Sequence, residues 1–240
     1  MLKHKNYILF LLPVFLSAQA DYRLHPVEIT ASRLESSMAA ETRELQVLDR
    51  KRIRSLPGIS VSDILSVAGL VDLQSRGVNG IQADMSLRGS GFEQVLVLVD
   101  GVRMNDPQTG HHNADLPVSR DDIERIEVLT GHASSIYGPD GVGGVIQIIT
   151  RHAQTTQTNV SFQGGSAGTT SAQLSQEFAG RHLTSRFTLA HNRSDGYRPT
   201  TDYKTTSLSG TSKWQSGPHR ISAIAGIVSK KFGANGFYAP

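Results

Sequence analysis

Three groups of residues in this chain have types and spacings that could do chemistry. The first is the glycine cluster in "GPDGVGGVIQIIT", Gly138 to Thr150, which runs straight into a β-branched apolar stretch. Glycines ahead of a helix or beside a strand often cradle phosphate. Here Gly138, Gly141, Gly143 and Gly144 match neither G-x-G-x-x-G nor G-x-x-x-x-G-K-[ST], and the lysine of the second pattern is missing. The spacing instead predicts a turn at Pro139 and Asp140, with glycines supplying positive φ or close backbone approach before a buried strand. The second group is the pair His111 and His112 in "RMNDPQTGHHNADLP". Adjacent side chains point apart on an extended chain, and no third ligand follows at a regular spacing, so no metal site is expected. The third group is Arg88, Glu93, Asp100, Arg125 and Glu127, in or beside strand-like text. No nucleophile with a recognisable base accompanies these charges, so structural ion pairs are expected, with no catalytic residue and no resident cofactor.

The elements that would position these residues fall into two kinds of text, changing near Arg151. From Glu44 to Thr150, helix and strand signals mix. "SVSDILSVAG" has a serine cap, an apolar stripe and Gly69 as a stop, and "QVLVLVDG" predicts a buried strand ending in an Asp-Gly turn. "SRDDIERIEVLTG" opens with Ser119 and Asp122 at capping-box spacing and then turns strand-like. The near-continuous apolar runs Val95–Val99 and Val145–Ile149 predict strands covered on both faces. A small α/β or α+β domain is expected here.

After Arg151 the text is rich in Thr, Ser, Gln and Gly and has no helix period. Ala172, Leu174 and Phe178 share one parity, as do Leu183, Phe187 and Leu189, and Ile221, Ala223, Ala225 and Ile227. Turn residues in "RSDGYRPTTD" and "QSGPH" separate the segments. Period two alone fits a soluble sandwich and a membrane barrel equally.

The start of the chain tilts that choice. "MLKHKN" carries Lys3 and Lys5, "YILFLLPVFL" is an apolar core, and "SAQA" places Ala18 and Ala20 where a signal peptidase reads small residues. The apolar run is shorter than the roughly 20 residues a membrane helix needs. Residues 1–20 therefore predict a removed signal peptide, and an exported domain has no nucleotide pool to draw on. The chain contains no cysteine, which excludes a disulfide framework and thiolate metal sites. The formal net charge is +3, and Lys3 and Lys5 carry two of those charges, so no nucleic-acid footprint is present.

The order "VEITASR", then "LRGSGFEQVLVLVDGVRMND", then "DDIERIEVLTGHASSIYGPDGVGGVIQIIT" closely resembles the plug domain of TonB-dependent outer-membrane receptors, and in look most closely the cobalamin and siderophore branches. The polar alternating segments resemble the first strands of that family's barrel. The resemblance implies residues 21–43 as a flexible N-terminus with a TonB box, 44–151 as the plug, of α+β class with a small mixed sheet and short helices, and 152–240 as the start of a transmembrane β-barrel. It also implies partners: TonB of the inner-membrane energising complex, a small chelate ligand of cobalamin or siderophore type, and outer-membrane lipid.

Two sets of site residues follow. Pro26 blocks a helix running backward, and Val27, Ile29 and Thr30 favour extended backbone that could add to a partner's sheet edge. The resemblance to a TonB box assigns Val27, Glu28, Ile29, Thr30 and Ala31 to TonB contact. The segment from Arg103 to Pro117 is too polar and turn-rich for core, and a loop between rigid strands is where recognition residues sit. The corresponding plug loop in the family faces the ligand, so Asn105, Gln108, His111, His112 and Asn113 are candidates for ligand contact. "SRGVNGIQAD" offers Asn79 and Gln82 as a second loop.

Five or six strand-like segments precede Pro240, whereas plugged transporters have barrels of about 22 strands. An open sheet edge in lipid leaves backbone groups unpaired at several kcal/mol each. The expectation is the front part of a longer receptor, or a truncated product acting as a soluble periplasmic plug-like binding or signalling module without transport. An exported enzyme with a β-rich appendage is the remaining class, and no catalytic constellation supports it.

Overall fold

The computed structural model describes residues 44–77, 79–131, 139–235 and 237, together with the backbone pairing of β1 (Glu28–Ile29) and β2 (Ser36–Ser37). These two strands are antiparallel, with Glu28 opposite Ser37 and Ile29 opposite Ser36. Extended backbone at Glu28 and Ile29 agrees with the sequence expectation. Val27, Thr30, Ala31 and residues 1–20, where a signal peptide is expected, lie outside the described residues.

The first unit runs through β3 (Glu44–Asp49), α1 (Arg50–Ser55), α2 (Val61–Val67), the hairpin of β4 (Asp72–Ser75) and β5 (Ala83–Ser86), then β6 (Val95–Val99), β7 (Val102–Arg103), β8 (Ile123–Thr130) and β9 (Gly144–Thr150). Its main sheet has the order β3-β8-β9-β6-β7, with β6 and β9 parallel and the other pairs antiparallel. Ser60 starts α2 through a capping box: its hydroxyl accepts from Asp63 N, and the Asp63 carboxylate accepts from Ser60 N. Helical spacing then puts Val61, Ile64 and Leu65 on the buried face, packed with Val97, Ile126 and Ile148. All five residues of β6 are buried, as a strand covered on both faces requires.

Two turns depend on unusual backbone. Asp100 and Gly101 have φ of 47° and 82°, so β6 folds back to β7 through a two-residue turn with both φ positive. Gly144 has φ of 148°, and a Cβ there would lie 2.5 Å from the Leu129 carbonyl oxygen. The glycine cluster therefore admits a close backbone approach between β9 and its neighbour β8, as its sequence context suggests.

The second unit is an antiparallel sheet of β10 (Gln157–Gly164), β11 (Thr170–Ala179), β12 (Leu183–Ser194), β13 (Tyr203–Ser216) and β14 (His219–Phe232), paired in chain order. Val160, Leu174, Leu189, Leu208 and Ile227 are register partners in one row across all five strands. They are 46% to 75% exposed, so the apolar parity points away from the plug. Phe178, Phe187 and Trp214 extend this belt toward the end with the short turns, residues 180–182 and 217–218. Longer loops, 165–169 and 195–202, lie at the other end. Among the described residues the sheet is open, with β10 and β14 as its edges. No helix among them is long and apolar enough to cross a membrane, which says nothing about strands. The architecture is an α+β unit followed by an open antiparallel sheet, as the resemblance to a plug domain and the first strands of a barrel implies.

The opposite parity of this wall faces the plug and is mostly polar. Asp122 at the foot of β8 is its anchor: Oδ1 accepts from Arg186 Nε at 2.6 Å and from Thr188 Oγ1 at 2.7 Å, and Oδ2 accepts from Ser209 Oγ at 3.3 Å. Arg186 also pairs with Glu177, and Arg151 lies 3.5 Å from the same carboxylate. Arg186, Asp122 and Glu177 are all nearly fully buried, so each charge is compensated by its neighbours.

Candidate functional site

Two loops meet near the end of the wall that carries its longer loops. One joins β4 to β5 and contains Asn79 and Gln82; the other runs from Met104 to Pro117. The second loop is closed by its own polar side chains. Asn105 acts as a surrogate strand partner for β6: its Oδ1 accepts from Val97 N at 2.8 Å, and its Nδ2 donates to Val95 O at 2.9 Å. Asn113, 4% exposed, accepts from Asp106 N and donates to Phe92 O. Asp106 in turn accepts from the backbone N–H groups of Gln108 and Thr109, which hold its carboxyl below the usual carboxylate range.

Thr109 caps a single 3₁₀ turn, Gly110–His112. Gly110 is needed there, because a Cβ would sit 2.7 Å from the Phe92 ring. The His111 ring stacks on that ring with centroids 4.6 Å apart, and its Nδ1 lies 2.8 Å from Asp84 Oδ1. Asp84 is also 3.7 Å from Arg76, on the neighbouring loop. His112 Nδ1 lies 3.0 Å from Asp115 Oδ2, and Gln108 is exposed.

The wall ties the two loops together. Lys230 Nζ, on the inward parity of β14, donates to Gly80 O at 2.7 Å, to Ile81 O at 3.2 Å and to Asp115 Oδ1 at 2.5 Å. Asn79, with φ of 54°, donates through Nδ2 to the Tyr203 hydroxyl at 2.5 Å. Gln82 is half-buried and its carbonyl accepts from Arg76 N. Between the first loop and the wall lies a cavity of about 240 Å³, lined by Arg76, Ile81, Tyr197, Arg198, Phe232 and Asn235 among others. Ile81, Tyr203 and Phe237 form an apolar cluster beside it.

The candidates thus fall into distinct positions. Asn79 meets the wall, His112 connects through Asp115 to the same lysine, and His111 reaches the first loop through Asp84. The amides of Asn105 and Asn113 are engaged by backbone, whereas Gln108 and His112 present exposed side chains. Sequence reasoning missed Lys230, Tyr203 and Phe232. Their signal was parity: Lys230 and Phe232 fall one residue out of step with Ile221 and Ile227, on the face turned inward. Among the described residues, no group of three or more His, Asp or Glu is placed to hold a metal ion. Arg88 pairs with Glu44 and Arg125 with Glu127, while Asp100 accepts hydrogen bonds from Thr150 N and Oγ1.

Comparison with known proteins adds the family. Residues 38–145 match the TonB-dependent Receptor Plug Domain. The chain is 33% identical over 146 residues to the vitamin B12 transporter BtuB of Vibrio vulnificus strain CMCP6, covering 61% of this chain and 24% of the relative. With BtuB of Vibrio vulnificus strain YJ016 it shares 32% identity over 187 residues, 77% of this chain and 30% of the relative. The chain therefore spans about a quarter to a third of the length of the curated relatives it matches. Among solved structures, the siderophore receptor PiuA from Acinetobacter baumannii superposes with a TM-score of 0.66 at 18% identity, covering 85% of this chain and 28% of PiuA. The ferripyoverdine receptor of the outer membrane of Pseudomonas aeruginosa superposes with a TM-score of 0.68 at 15% identity, covering 84% of this chain and 27% of that one. These likenesses show a common fold.

Proposed function

This chain belongs to the TonB-dependent receptors, and on that premise we propose that it is the N-terminal part of an outer-membrane receptor that takes a scarce chelate, cobalamin or a metal-siderophore complex, into the periplasm with energy delivered by TonB. The observation that carries this reading is the wall: a row of exposed apolar side chains, Val160 to Ile227, on one face, with a polar face toward the plug. Lipid is the environment that such a belt fits, and strands of 10 to 14 residues are long enough to cross it, since about 9 to 11 suffice. The alternative, a soluble periplasmic module without transport, would leave that belt in water.

Short turns face the periplasm in such barrels and longer loops face outward. The loops carrying Asn79, Gln108 and His112 then lie at the outer end, where a ligand arrives, and the chain enters the barrel from the periplasmic side through residues 151–156. Asn105 and Asn113 act by shaping the loop; Gln82, Gln108, His111 and His112 line the approach. Cobalamin is the first ligand to test, because the relatives at about a third identity are named vitamin B12 transporters. Val27 to Ala31 form the TonB contact by strand addition.

The test uses the intact receptor in outer-membrane vesicles and cells. Labelled cobalamin should bind a heat-modifiable outer-membrane band. Gln108→Ala with His112→Ala should weaken that binding about tenfold, the scale of one or two lost hydrogen bonds. Ile29→Pro should leave binding intact and abolish uptake. Normal uptake in Ile29→Pro removes the TonB assignment, and a periplasmic band near the mass of this chain removes the transport reading.

A further inference from the structure

At the opposite end of the wall a cavity of about 940 Å³ opens between the underside of the plug sheet and the short turns at 180–182 and 217–218. Its lining is strongly cationic. Lys213 and Arg220 stand on the parity that faces inward, one residue from the outward Trp214 and Ile221. Arg181 joins them from the adjacent turn. Among the described residues none of these three has a carboxylate within ion-pair distance. The acid in the lining, Asp100, has both carboxylate oxygens occupied by Thr150, and Arg125 is committed to Glu127.

Two further observations give the cavity polar specificity as well as charge. Lys213 Nζ lies 2.8 Å from His152 Nε2. Burial, and then the Lys213 charge, hold His152 below its ordinary value, so the neutral ring accepts one ammonium proton and leaves Lys213 two more donors. On the plug side Gln147 is 2% exposed, lines the same cavity, and its Oε1 has no hydrogen-bond partner. A buried carbonyl without a donor is destabilising, so a ligand bearing a hydroxyl beside its negative charge would satisfy what the protein leaves open.

We propose that this periplasm-facing cavity binds a phosphate that keeps a free hydroxyl, inorganic phosphate or a phosphomonoester, with Lys213, Arg181 and Arg220 meeting its oxygens and Gln147 Oε1 accepting its P–O–H. The pairing sets the class. Sulfate carries the same charge without a proton to donate, and the phosphodiester of a glycerophospholipid headgroup has none either. The inward parity of Lys213 also separates it from the lipid side of the strand. The site stands apart from the chelate reading, since it shares no residue with the loops at the other end.

The experiment is calorimetric titration of the intact receptor in zwitterionic detergent with inorganic phosphate and, separately, sulfate at constant ionic strength. Saturable binding is expected, with phosphate about tenfold tighter than sulfate, the scale of one charge-assisted hydrogen bond. Arg220→Gln, on the exposed rim where folding is not at stake, should weaken both anions about tenfold. Gln147→Leu should erase the preference for phosphate and leave sulfate affinity unchanged, with heat-modifiability confirming that the barrel is formed. Equal affinities for the two anions, insensitive to Arg220→Gln, would reduce the cavity to general positive charge and overturn the site. So would Arg220-dependent binding of phosphatidylglycerol nanodiscs without binding of phosphate, which would hand the cations to a lipid headgroup.

Discussion

The plug sheet and the wall sheet are built from the same backbone ladder and reach opposite solutions. In β6 and β9 both faces are covered, so Val, Leu and Ile follow one another without alternation and Val97, Val99, Ile146 and Ile148 are fully buried. In β11 to β14 the large exposed apolar side chains fall on one parity and point away from the plug, while the inward parity carries mostly Thr, Ser, Arg and Glu. The plug is therefore held to itself by apolar burial and to the wall mainly by hydrogen bonds and the Asp122–Arg186–Glu177–Arg151 cluster. Ile224, reaching from the wall into the plug core, and Tyr203, clustered with Ile81 and Phe237, are apolar exceptions. Polar contacts at such a seam can be exchanged for water, and apolar contacts inside the plug cannot. The difference separates a domain that must stay folded from an interface that can be remade.

Three substitutions probe that contrast. The largest effect is expected from Arg186→Met, which leaves the buried Asp122 carboxylate without a counter-charge and Glu177 with Arg151 alone, and should weaken the seam by about 3–5 kcal/mol. Hydrogen exchange in the intact receptor should show faster opening at residues 120–123 and little change in β6. Adding Asp122→Asn and Glu177→Gln should recover much of the loss, and no recovery would mean that the cluster is not coupled as drawn. Next is Leu189→Lys, at the centre of the outward apolar row, with an expected cost of about 2–4 kcal/mol if that row lies near the membrane midplane. Refolding into lipid vesicles measures it, and a cost near zero would place this face in water. The smallest effect is Ile146→Val, the loss of one buried methylene at about 0.5–1.5 kcal/mol. It should appear as faster exchange within β6 and β9 alone, and spread of the effect to the wall would blur the distinction between the two regions.

Much of this contrast was legible before any coordinates. The unbroken run Val95–Val99, the serine cap at Ser60 and the period-two apolar series each have one natural local solution, and each formed as expected. The candidate loop was legible as a loop because Pro, Gly, Asn and Asp crowd it, yet the use of its side chains was not. Asn105 and Asn113 have the composition of recognition residues but spend their amides on Val95, Val97, Asp106 and Phe92, contacts that depend on where the returning chain lies. Ser119 and Asp122 read as a helix start, and the helix is a single 3₁₀ turn, Arg120–Asp122, because β8 begins at Ile123. The second role of Asp122, accepting from Arg186, Thr188 and Ser209 more than sixty residues away, left no local trace.

By itself the sequence determined which strands are covered on both faces, which carry one apolar face, where the turns fall and that no disulfide or thiolate site can form, because these follow from period, propensity and composition. The tertiary structure alone decided which polar side chains meet across the seam. Lys230 reaching Gly80, Ile81 and Asp115, Tyr203 reaching Asn79, and Lys213 meeting His152 above an unpartnered Gln147 all join residues 61 to 150 positions apart. A hydrogen bond needs its partners within about 3 Å, and sequence spacing sets no such distance between segments that touch only after both sheets have formed.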